Sequence, residues 1–278
     1  MSTDPAAPLF GTVWFDALAA SADAPFPGAP GSLRMGEVAL DDGSAAALVA
    51  VVPDADARFP RARSGEVGLE EGWGLARAVT ALVDADASAP TRRPIVIVVD
   101  VPSQAYGYVE ELLGIHQALA ASTNAVASAR LAGHPVVALV VGKAISGAFL
   151  ATGLQANRIV ALDHDGIAVQ VMSKQSAARI TRRTIAELDA AADAIPATAY
   201  DGASFAKLGA VADLVSVEQP AAPTDADVAA ARTAVSVAVA DVRAGSVDLG
   251  SRLTSPGGRD QRAASVLVRE RVAEAWDL

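Results

Sequence analysis

The chain has 278 residues, 52% of them hydrophobic and 19% charged, which provides ample apolar material for a buried core and excludes a disordered chain. Its 22 Lys and Arg against 32 Asp and Glu give a net charge of −10, which argues against binding to nucleic acid or to an anionic membrane surface. The absence of cysteine excludes disulfides, thiolate nucleophiles, iron–sulfur clusters and cysteine-ligated zinc.

The N-terminal sequence MSTDPAAPLF contains an acidic residue and two prolines but no basic residue, unlike a secretory signal peptide. No apolar run approaches the roughly 20 residues that a membrane-spanning helix needs. We therefore expect a soluble, cytoplasmic protein.

Apolar periodicity predicts helices and strands that alternate along the chain. Residues 94–100 and 135–141 are continuous runs rich in β-branched residues, typical of parallel strands that are buried on both faces. The alternation predicts an α/β domain with a mainly parallel sheet. The predicted elements are helix 13–18, a hairpin of strands 38–40 and 46–52 about the turn 41–44, helix 66–84, strand 94–100, helix 109–131, strand 135–141, helix 146–153, strands 158–162 and 166–171, helix 175–193, a short apolar run at 208–217, and helices 225–242 and 260–276.

Composition divides the chain into three parts. Residues 1–31 are rich in proline, alanine and glycine and are predicted to hold one short helix and a loose connection. Residues 32–217 contain all the predicted strands and form the main domain. Residues 218–278 are predicted C-terminal helices that pack on the same domain or on a partner.

One stretch, PVVALVVGKAISGAFLATG at residues 135–153, joins a buried strand to a helix that starts on small residues. Ser146, Gly147 and Ala148 leave the first helical turn open, so its unpaired backbone N–H groups and the helix dipole favour an oxyanion. A tight turn in which small residues merely fit explains the same pattern. The strand at 95–101 ends in a second candidate loop, 102–107. Neighbouring parallel strands open on one side, so both loops are expected to offer N–H groups to one carbonyl.

The stretches VDVPSQAYGYVEELLGIHQALAAS and GHPVVALVVGKAISGAFLATGLQANRIVALDHDGIAVQV resemble the crotonase superfamily. Within it, the segments VVGKAISGAFLA, QANRIVAL, SAARITRRTIAEL and YDGASFAKLGAVADLV most closely resemble γ subunits of malonate decarboxylase, over residues 93–217. The resemblance implies an α/β, crotonase-like (ClpP/crotonase) fold of repeated β-β-α units with a mainly parallel sheet and C-terminal helices. It places Gly147 on the glycine whose N–H lines an oxyanion hole. The catalytic candidates are Gly147, Ala148, Ser146, Ser103 and Gln104.

The resemblance also implies a reaction and partners. Such a subunit pairs with a β subunit of the same fold, and together they convert a malonyl thioester on an acyl carrier protein to the acetyl thioester and CO₂ through an enolate. The carrier's arm is a dephospho-CoA-derived group, and a separate acetyl/malonyl transferase subunit exchanges acetyl for malonyl on it. We expect no cofactor and no metal on this chain. Which of the two subunits binds the thioester carbonyl, and which the carboxylate, stays open.

Ser146 has two interpretations, a helix N-cap and a nucleophile. ClpP-type proteases of the same superfamily have a serine close to this position and a histidine on a following strand. This chain has Gln170 there, which disfavours a serine protease and leaves Gln170 as a candidate to hydrogen-bond a substrate carboxylate. The hydratase branch needs a glutamate three residues beyond the oxyanion glycine, where this chain has Leu150.

Lys143 is a candidate to anchor a carboxylate or a phosphate, and a local ion pair is the equal alternative. Tyr106 is a candidate to line the pocket, with a packing role as the alternative. His116, His134 and His164 lack metal-ligand spacing and are expected to be structural or solvated.

Two basic runs stand out on this acidic chain. Each is either a solvated helix face or a docking surface for an acidic carrier protein or its phosphate-bearing arm. Arg182 and Arg183 are the carrier-binding candidates. The runs comprise Lys174, Arg179, Arg182 and Arg183, and then Arg252, Arg259, Arg262, Arg269 and Arg271.

Two alternatives to decarboxylation are kept. In the first, this chain belongs to a carboxyltransferase pair that passes the malonyl carboxyl group to biotin on a carrier. In the second, it is a non-catalytic scaffold for its β partner. Resemblance of fold alone does not separate these functions.

Overall fold

The computed structural model describes residues 9–21 and 23–276; the expectations for residues 1–8 lie outside this part. Seven strands form one sheet in the order β1-β2-β3-β4-β5-β7, with β6 also paired to β4. The strands are β1 (Leu33–Ala39), β2 (Ala45–Val51), β3 (Ile95–Val101), β4 (Val136–Ile145), β5 (Arg158–Asp163), β6 (Ala168–Gln170) and β7 (Asp213–Ser216). The helices are α1 (Gly11–Leu18), α2 (Leu69–Ala85), α3 (Tyr108–Leu112), α4 (Ile115–Leu131), α5 (Ser146–Thr152), α6 (Lys174–Thr181), α7 (Ile185–Ala194), α8 (Gly202–Lys207), α9 (Asp225–Ala244), α10 (Ser251–Thr254), α11 (Pro256–Gln261) and α12 (Ala263–Trp276).

The predicted α/β class with a mainly parallel sheet is confirmed. Among the strands of residues 9–21 and 23–276, only β1 and β2 pair antiparallel, as the predicted hairpin. The turn is closed by a hydrogen bond of 3.0 Å from Gly43 N–H to the Leu40 carbonyl. All residues of β3 are buried, as the continuous run of β-branched residues predicts.

Two long predicted helices are each broken in two. The helix predicted at 109–131 is interrupted at Gly114, whose φ of 81° lies in the left-handed region that glycine tolerates. The helix predicted at 175–193 is interrupted at Arg182, which also has a positive φ of 55°. After this break Thr184 starts α7 with a capping box, because its side chain and that of Glu187 satisfy each other's backbone N–H groups.

Strand β4 ends four residues later than predicted because it bulges past the end of β3. Val99 pairs with Val140, but two residues further on Val101 pairs with Ala144. The carboxylate of Asp100 fills this irregularity and accepts a hydrogen bond of 2.7 Å from the N–H of Lys143. Gly142 lies so close to the same carboxylate that any Cβ would overlap it. The glycine and the aspartate therefore fit each other.

Asp100 also ties the N-terminal helix to the sheet. Its second oxygen accepts hydrogen bonds from the backbone N–H groups of Phe10 and Gly11, at the start of α1. Burial raises the pKa of the Asp100 carboxyl, while these N–H groups and the charge of Lys143 act in the opposite direction.

The N-terminal and C-terminal segments both contribute to the core. Trp14 and Phe15 of α1 are fully buried, and the indole N–H of Trp14 donates to the Pro220 carbonyl at 2.9 Å. Helix α9 buries Val235 and Val239 as it packs on the sheet. Because both segments pack on the same sheet, the boundaries at residues 31 and 217 stay predictions.

Helices α6, α7, α10 and α12 contain no buried residue in the described part of the chain. Helix α12 starts later than predicted because residues 256–261 form α11, which the Ser255 side chain caps. Its exposed apolar residues include Leu267, Val272 and Trp276. Within residues 9–21 and 23–276, no helix has the length and hydropathy that crossing a membrane requires.

Replacing Gly142 with alanine is expected to lower the free energy of unfolding by about 1–3 kcal/mol, because the new Cβ overlaps the Asp100 carboxylate. Urea unfolding measures this loss. The matched control is Gly36→Ala on β1, where a Cβ would stand 3.4 Å from Cζ of Phe15, an ordinary contact. Equal unfolding midpoints for the two variants would contradict the role given to Gly142.

Candidate active site

Two loops meet where β3 and β4 end. The loop after β3 carries Gln104, and the junction of β4 with α5 carries Ser146 and Gly147. The Ser146 hydroxyl donates to Oε1 of Gln104 at 3.4 Å, and the same oxygen lies against Gly147. The structure therefore brings together the two loops that the sequence predicted to share one carbonyl.

The loop after β3 is held by a short extra pairing with residue 67. Val67 N–H donates to the Ser103 carbonyl at 3.1 Å, and Ala105 N–H donates to the Val67 carbonyl at 2.8 Å. Within the described part of the chain, the N–H groups of Ser103 and Gln104 donate to no acceptor. These are the positions expected to supply one oxyanion donor.

The buried carboxylate of Glu71 stabilises the chain next to this pairing. Glu71 accepts a hydrogen bond of 2.6 Å from the Ser32 hydroxyl and one of 3.0 Å from the N–H of Gly68, next to Val67. Burial raises the pKa of Glu71, and these hydrogen bonds oppose the shift. Glu71 thus acts on the site only through the position of the chain at residues 67–68.

Helix α5 begins with an unusual serine. Ser146 has a φ of 64°, in the left-handed region that a serine seldom adopts. The N-cap position is held by Ile145, and no side chain caps the helix. The N-cap interpretation of Ser146 is therefore wrong, because its hydroxyl faces Gln104. The first-turn N–H groups of α5, including those of Gly147 and Ala148, have no acceptor within the helix.

A cavity of about 580 Å³ opens beside Gly147. Its wall is mostly apolar and is supplied by α4, through residues such as Ile115, Leu119 and Ala127, and by Leu150 of α5. Gln104 closes one side. A mostly apolar cavity with a few convergent polar groups is typical of a ligand site.

Two titratable residues that were not among the predicted site residues, Glu111 and His116, also line this cavity. His116 was expected to be structural or solvated. The signal was present, because His116 lies on the same face of α4 as Thr123 and Ala127, at offsets of seven and eleven residues.

Lys143 lines a different cavity, of about 830 Å³, on the other side of the β4–α5 junction. This cavity also contains His164, Lys174 and Tyr200, together with several aspartates. The charge of Lys143 lowers the pKa of nearby Asp100, although burial of that carboxyl is the larger influence and raises it. Lys143 and Gly147, predicted as parts of one site, therefore border separate cavities.

Two further candidate residues make other contacts. The Tyr106 ring is half exposed and lies 4.9 Å from the guanidinium of Arg61, which stacks over it. The side chain of Gln170 donates to the Ala199 carbonyl at 2.9 Å and accepts from Val171 N–H at 2.8 Å. Neither residue lines the cavity beside Gly147. Binding of substrate by Tyr106 and Gln170 stays a prediction.

The basic candidates separate into exposed and buried residues. Arg182 and Arg183 are exposed at the corner between α6 and α7. Arg271 is exposed on α12 and pairs with Glu274 at 2.9 Å. The Nε of Arg252, in contrast, is buried. Arg252 is therefore not part of an exposed docking surface, and its inclusion in the basic run was wrong in that respect.

The chain has the fold of the crotonase-like carboxyltransferases. The structure of transcarboxylase 12S, in complex with methylmalonyl-coenzyme A and methylmalonic acid, superimposes with a TM-score of 0.57. It has 22% sequence identity and covers 77% of this chain and 37% of that chain, so the likeness concerns the fold alone.

Within that class the match becomes specific. The family model described as MdcE, malonate decarboxylase gamma subunit, matches residues 62–276. The chain belongs to the malonate decarboxylase gamma subunit family. A chain in the structure of a Pseudomonas malonate decarboxylase MdcD-MdcE hetero-dimer is 51% identical, with a TM-score of 0.86, and the match covers 97% of this chain and 100% of that one.

Two other relatives support the same family. A Pseudomonas malonate decarboxylase hetero-tetramer in complex with coenzyme A contains a chain that is 51% identical, with a TM-score of 0.87 over 95% of this chain and 100% of that one. The malonyl-S-ACP:biotin-protein carboxyltransferase MADD of Malonomonas rubra is 41% identical over 161 residues. That match covers 57% of this chain, and the chain spans about half of that relative's length (55%).

The contact between Gly147 and Gln104 makes a testable pair. Gly147→Ala is expected to lower the free energy of unfolding by about 0.5–1.5 kcal/mol, because its Cβ displaces Oε1 of Gln104, the end of a flexible side chain, from its hydrogen bond with Ser146. In the Gln104→Ala background the same substitution is expected to cause little further loss, because the displaced atoms are absent. Urea unfolding of the two single variants and the double variant measures the coupling. Strictly additive losses would show that the two residues do not pack as described.

Proposed function

We propose that this chain acts with a β subunit of the same fold to decarboxylate a malonyl thioester, and that its two loops at residues 103–104 and 146–148 hold an oxygen of the malonyl group. One observation carries the proposal. Backbone N–H groups without acceptors come from two neighbouring strand ends, and one residue of each end, Gln104 and Gly147, lines the same cavity. The Pseudomonas MdcD-MdcE hetero-dimer supports the pairing of two unlike subunits.

Decarboxylation of a malonyl thioester requires few catalytic side chains. The bond between Cα and the carboxylate carbon breaks, CO₂ leaves, and the electron pair moves into the thioester to give an enolate. A proton then adds to Cα and yields the acetyl thioester. Negative charge develops on the thioester oxygen, and each well-placed donor for such an oxygen contributes about 2.7–4 kcal/mol to the transition state. Backbone N–H groups supply these donors here.

The form of the substrate is also part of the proposal. We expect the malonyl group to be attached as a thioester to a dephospho-CoA-derived arm of an acyl carrier protein. An acetyl/malonyl transferase subunit is expected to transfer the malonyl group to this arm. The name of the Malonomonas rubra relative, a malonyl-S-ACP carboxyltransferase, supports a carrier-bound thioester. The hetero-tetramer with coenzyme A supports a thiol carrier of that chemical type.

Co-expression with the β subunit tests the function. The purified complex is expected to release CO₂ from malonyl thioesters without biotin, and this chain alone is expected to release none. The assay is repeated with a biotinylated carrier protein, because the 41% identity to MADD favours carboxyl transfer as the second candidate. Dependence of turnover on the biotinylated carrier would replace decarboxylation by carboxyl transfer.

Substitution of Gly147 is expected to lower turnover more than substitution of any other residue of the chain. Gly147→Val pushes the substrate oxygen away from the α5 N–H groups and is expected to lower kcat about 10²–10³-fold while the complex still assembles. Ser146→Ala serves as the control on the neighbouring residue. It is expected to retain most activity, because decarboxylation needs no nucleophile. Loss of turnover in a well-folded Ser146→Ala complex would restore serine chemistry and contradict the mechanism.

Arg182 and Arg183 are expected to contact the carrier. Reversing both charges to glutamate is expected to raise the apparent KM for the carrier-bound thioester and to leave the KM for a small malonyl thioester unchanged. The effect is expected to fade as salt rises, because exposed charges are screened beyond about 8–10 Å. Arg269→Glu on exposed α12 shows whether a basic residue elsewhere has the same effect. Equal effects on carrier and small thioester would contradict docking at the α6–α7 corner.

A further inference from the structure

A smaller cavity lies beyond α5; it shares Gln155 with the cavity beside Gly147 but is lined by none of residues 103–104 and 146–148. It has a volume of about 350 Å³ and lies between β5, β6, α8 and the C-terminal helices. Its wall is apolar apart from Gln155 and two guanidinium groups, those of Arg252 and Arg262. The apolar residues include Phe149, Leu154, Ile159, Val169, Phe205 and Val211.

Arg252 is incompletely satisfied in this position. One of its terminal nitrogens donates to the Ala156 carbonyl at 2.7 Å, but its buried Nε has no hydrogen-bond partner. Burial, together with the charges of Arg130, Arg262 and Arg158, lowers the pKa of Arg252 to about 10. No carboxylate acts on Arg252 in the opposite direction within the described part of the chain.

The carboxylates in this region interact with the other arginines. Asp241 pairs with Arg158 at 2.6 Å. Hydrogen bonds from Gly250 and Ser246 lower the pKa of Asp248 most, and the charges of Arg130 and Arg158 lower it further. The guanidinium of Arg262 makes no hydrogen bond or ion pair within residues 9–21 and 23–276. Of the described residues, Arg252 and Arg262 line the cavity and no carboxylate does, so its wall carries an excess of positive charge.

A buried cation without a counter-charge is costly, and proteins normally pair it. Here the cavity beside it is large enough for a small molecule and is lined by aliphatic and aromatic carbon. An inorganic anion would satisfy the guanidinium groups, but it has no hydrocarbon to pack against the apolar wall of the cavity. A ligand with a charged oxyanion end and a short hydrocarbon body matches both features.

We propose that this cavity binds a short aliphatic monocarboxylate, with the carboxylate at Arg252 and Arg262 and the hydrocarbon chain against Phe149, Ile159 and Phe205. Nothing in the decarboxylation mechanism uses this cavity. The site is therefore a second small-molecule site of the chain, separate from the cavity beside Gly147.

Isothermal titration of the full-length chain with acetate, butyrate and hexanoate tests the proposal. Affinity is expected to rise about fourfold per methylene group until the cavity is full, as burial of CH₂ predicts. Butyramide, which has the shape of butyrate without its charge, and inorganic phosphate, which has charge without the hydrocarbon, are both expected to bind at least tenfold more weakly than butyrate.

Variants locate the site. Arg262→Gln is expected to weaken hexanoate binding at least tenfold, and Arg252→Gln is expected to do the same. Arg259→Gln, three residues from Arg262 on exposed α11, is the matched control and is expected to change nothing. If Arg252→Gln fails to fold, Arg262→Gln still decides, because its guanidinium supports no other residue in the described part of the chain.

Competition separates this site from the proposed active site. Malonate is expected not to displace hexanoate, and Gly147→Val is expected to bind hexanoate normally. The proposal is overturned if none of the carboxylates binds, if butyramide or phosphate binds as well as butyrate, if Arg259→Gln matches Arg262→Gln, or if malonate displaces hexanoate. In the last case the carboxylate occupies the active site.

Discussion

The buried carboxylate of Asp100 holds together three parts of the chain that are distant in sequence. It accepts backbone hydrogen bonds from Phe10, Gly11 and Lys143, and so joins the N-terminal helix, the end of β3 and the bulge of β4. A charge removed from water must be matched by such donors, so the backbone around it has little freedom. Both loops of the candidate site leave the sheet within a few residues of this point, and their approach depends on it.

The strongest sequence signals concern residues whose environment is set locally. The β-branched runs gave the two central strands, and the small residues at 146–148 marked the open helix start. Asp100 could not be assigned its role, because its partners lie 90 and 43 positions away. The left-handed Ser146 and the buried Arg252 were missed for the same reason, since neither follows from its neighbours in the sequence. His116 was missed although its helical spacing relative to Thr123 and Ala127 was readable.

Several exposed apolar surfaces of this chain would be buried if another subunit covered them. Helix α12 buries no side chain and exposes Leu267, Val272 and Trp276. Near the site, Tyr108 and Leu112 of α3 are 84% and 72% exposed, which is unusual for large apolar residues beside a polar loop. A partner of the same fold that approaches on the α3 side would exclude water from the N–H groups of residues 103–104 and 147, and each would then stabilise charge more strongly.

The most direct test is a crystal structure of this chain in complex with its β subunit and a stable analogue of the malonyl thioester. The quantity to measure is the distance from the analogue's charged oxygen to the backbone nitrogen of Gly147. The account predicts about 2.7–3.1 Å, with a second donor at residue 103 or 104. An oxygen held only by the partner subunit, with Gln104 still packed against Gly147, would contradict it.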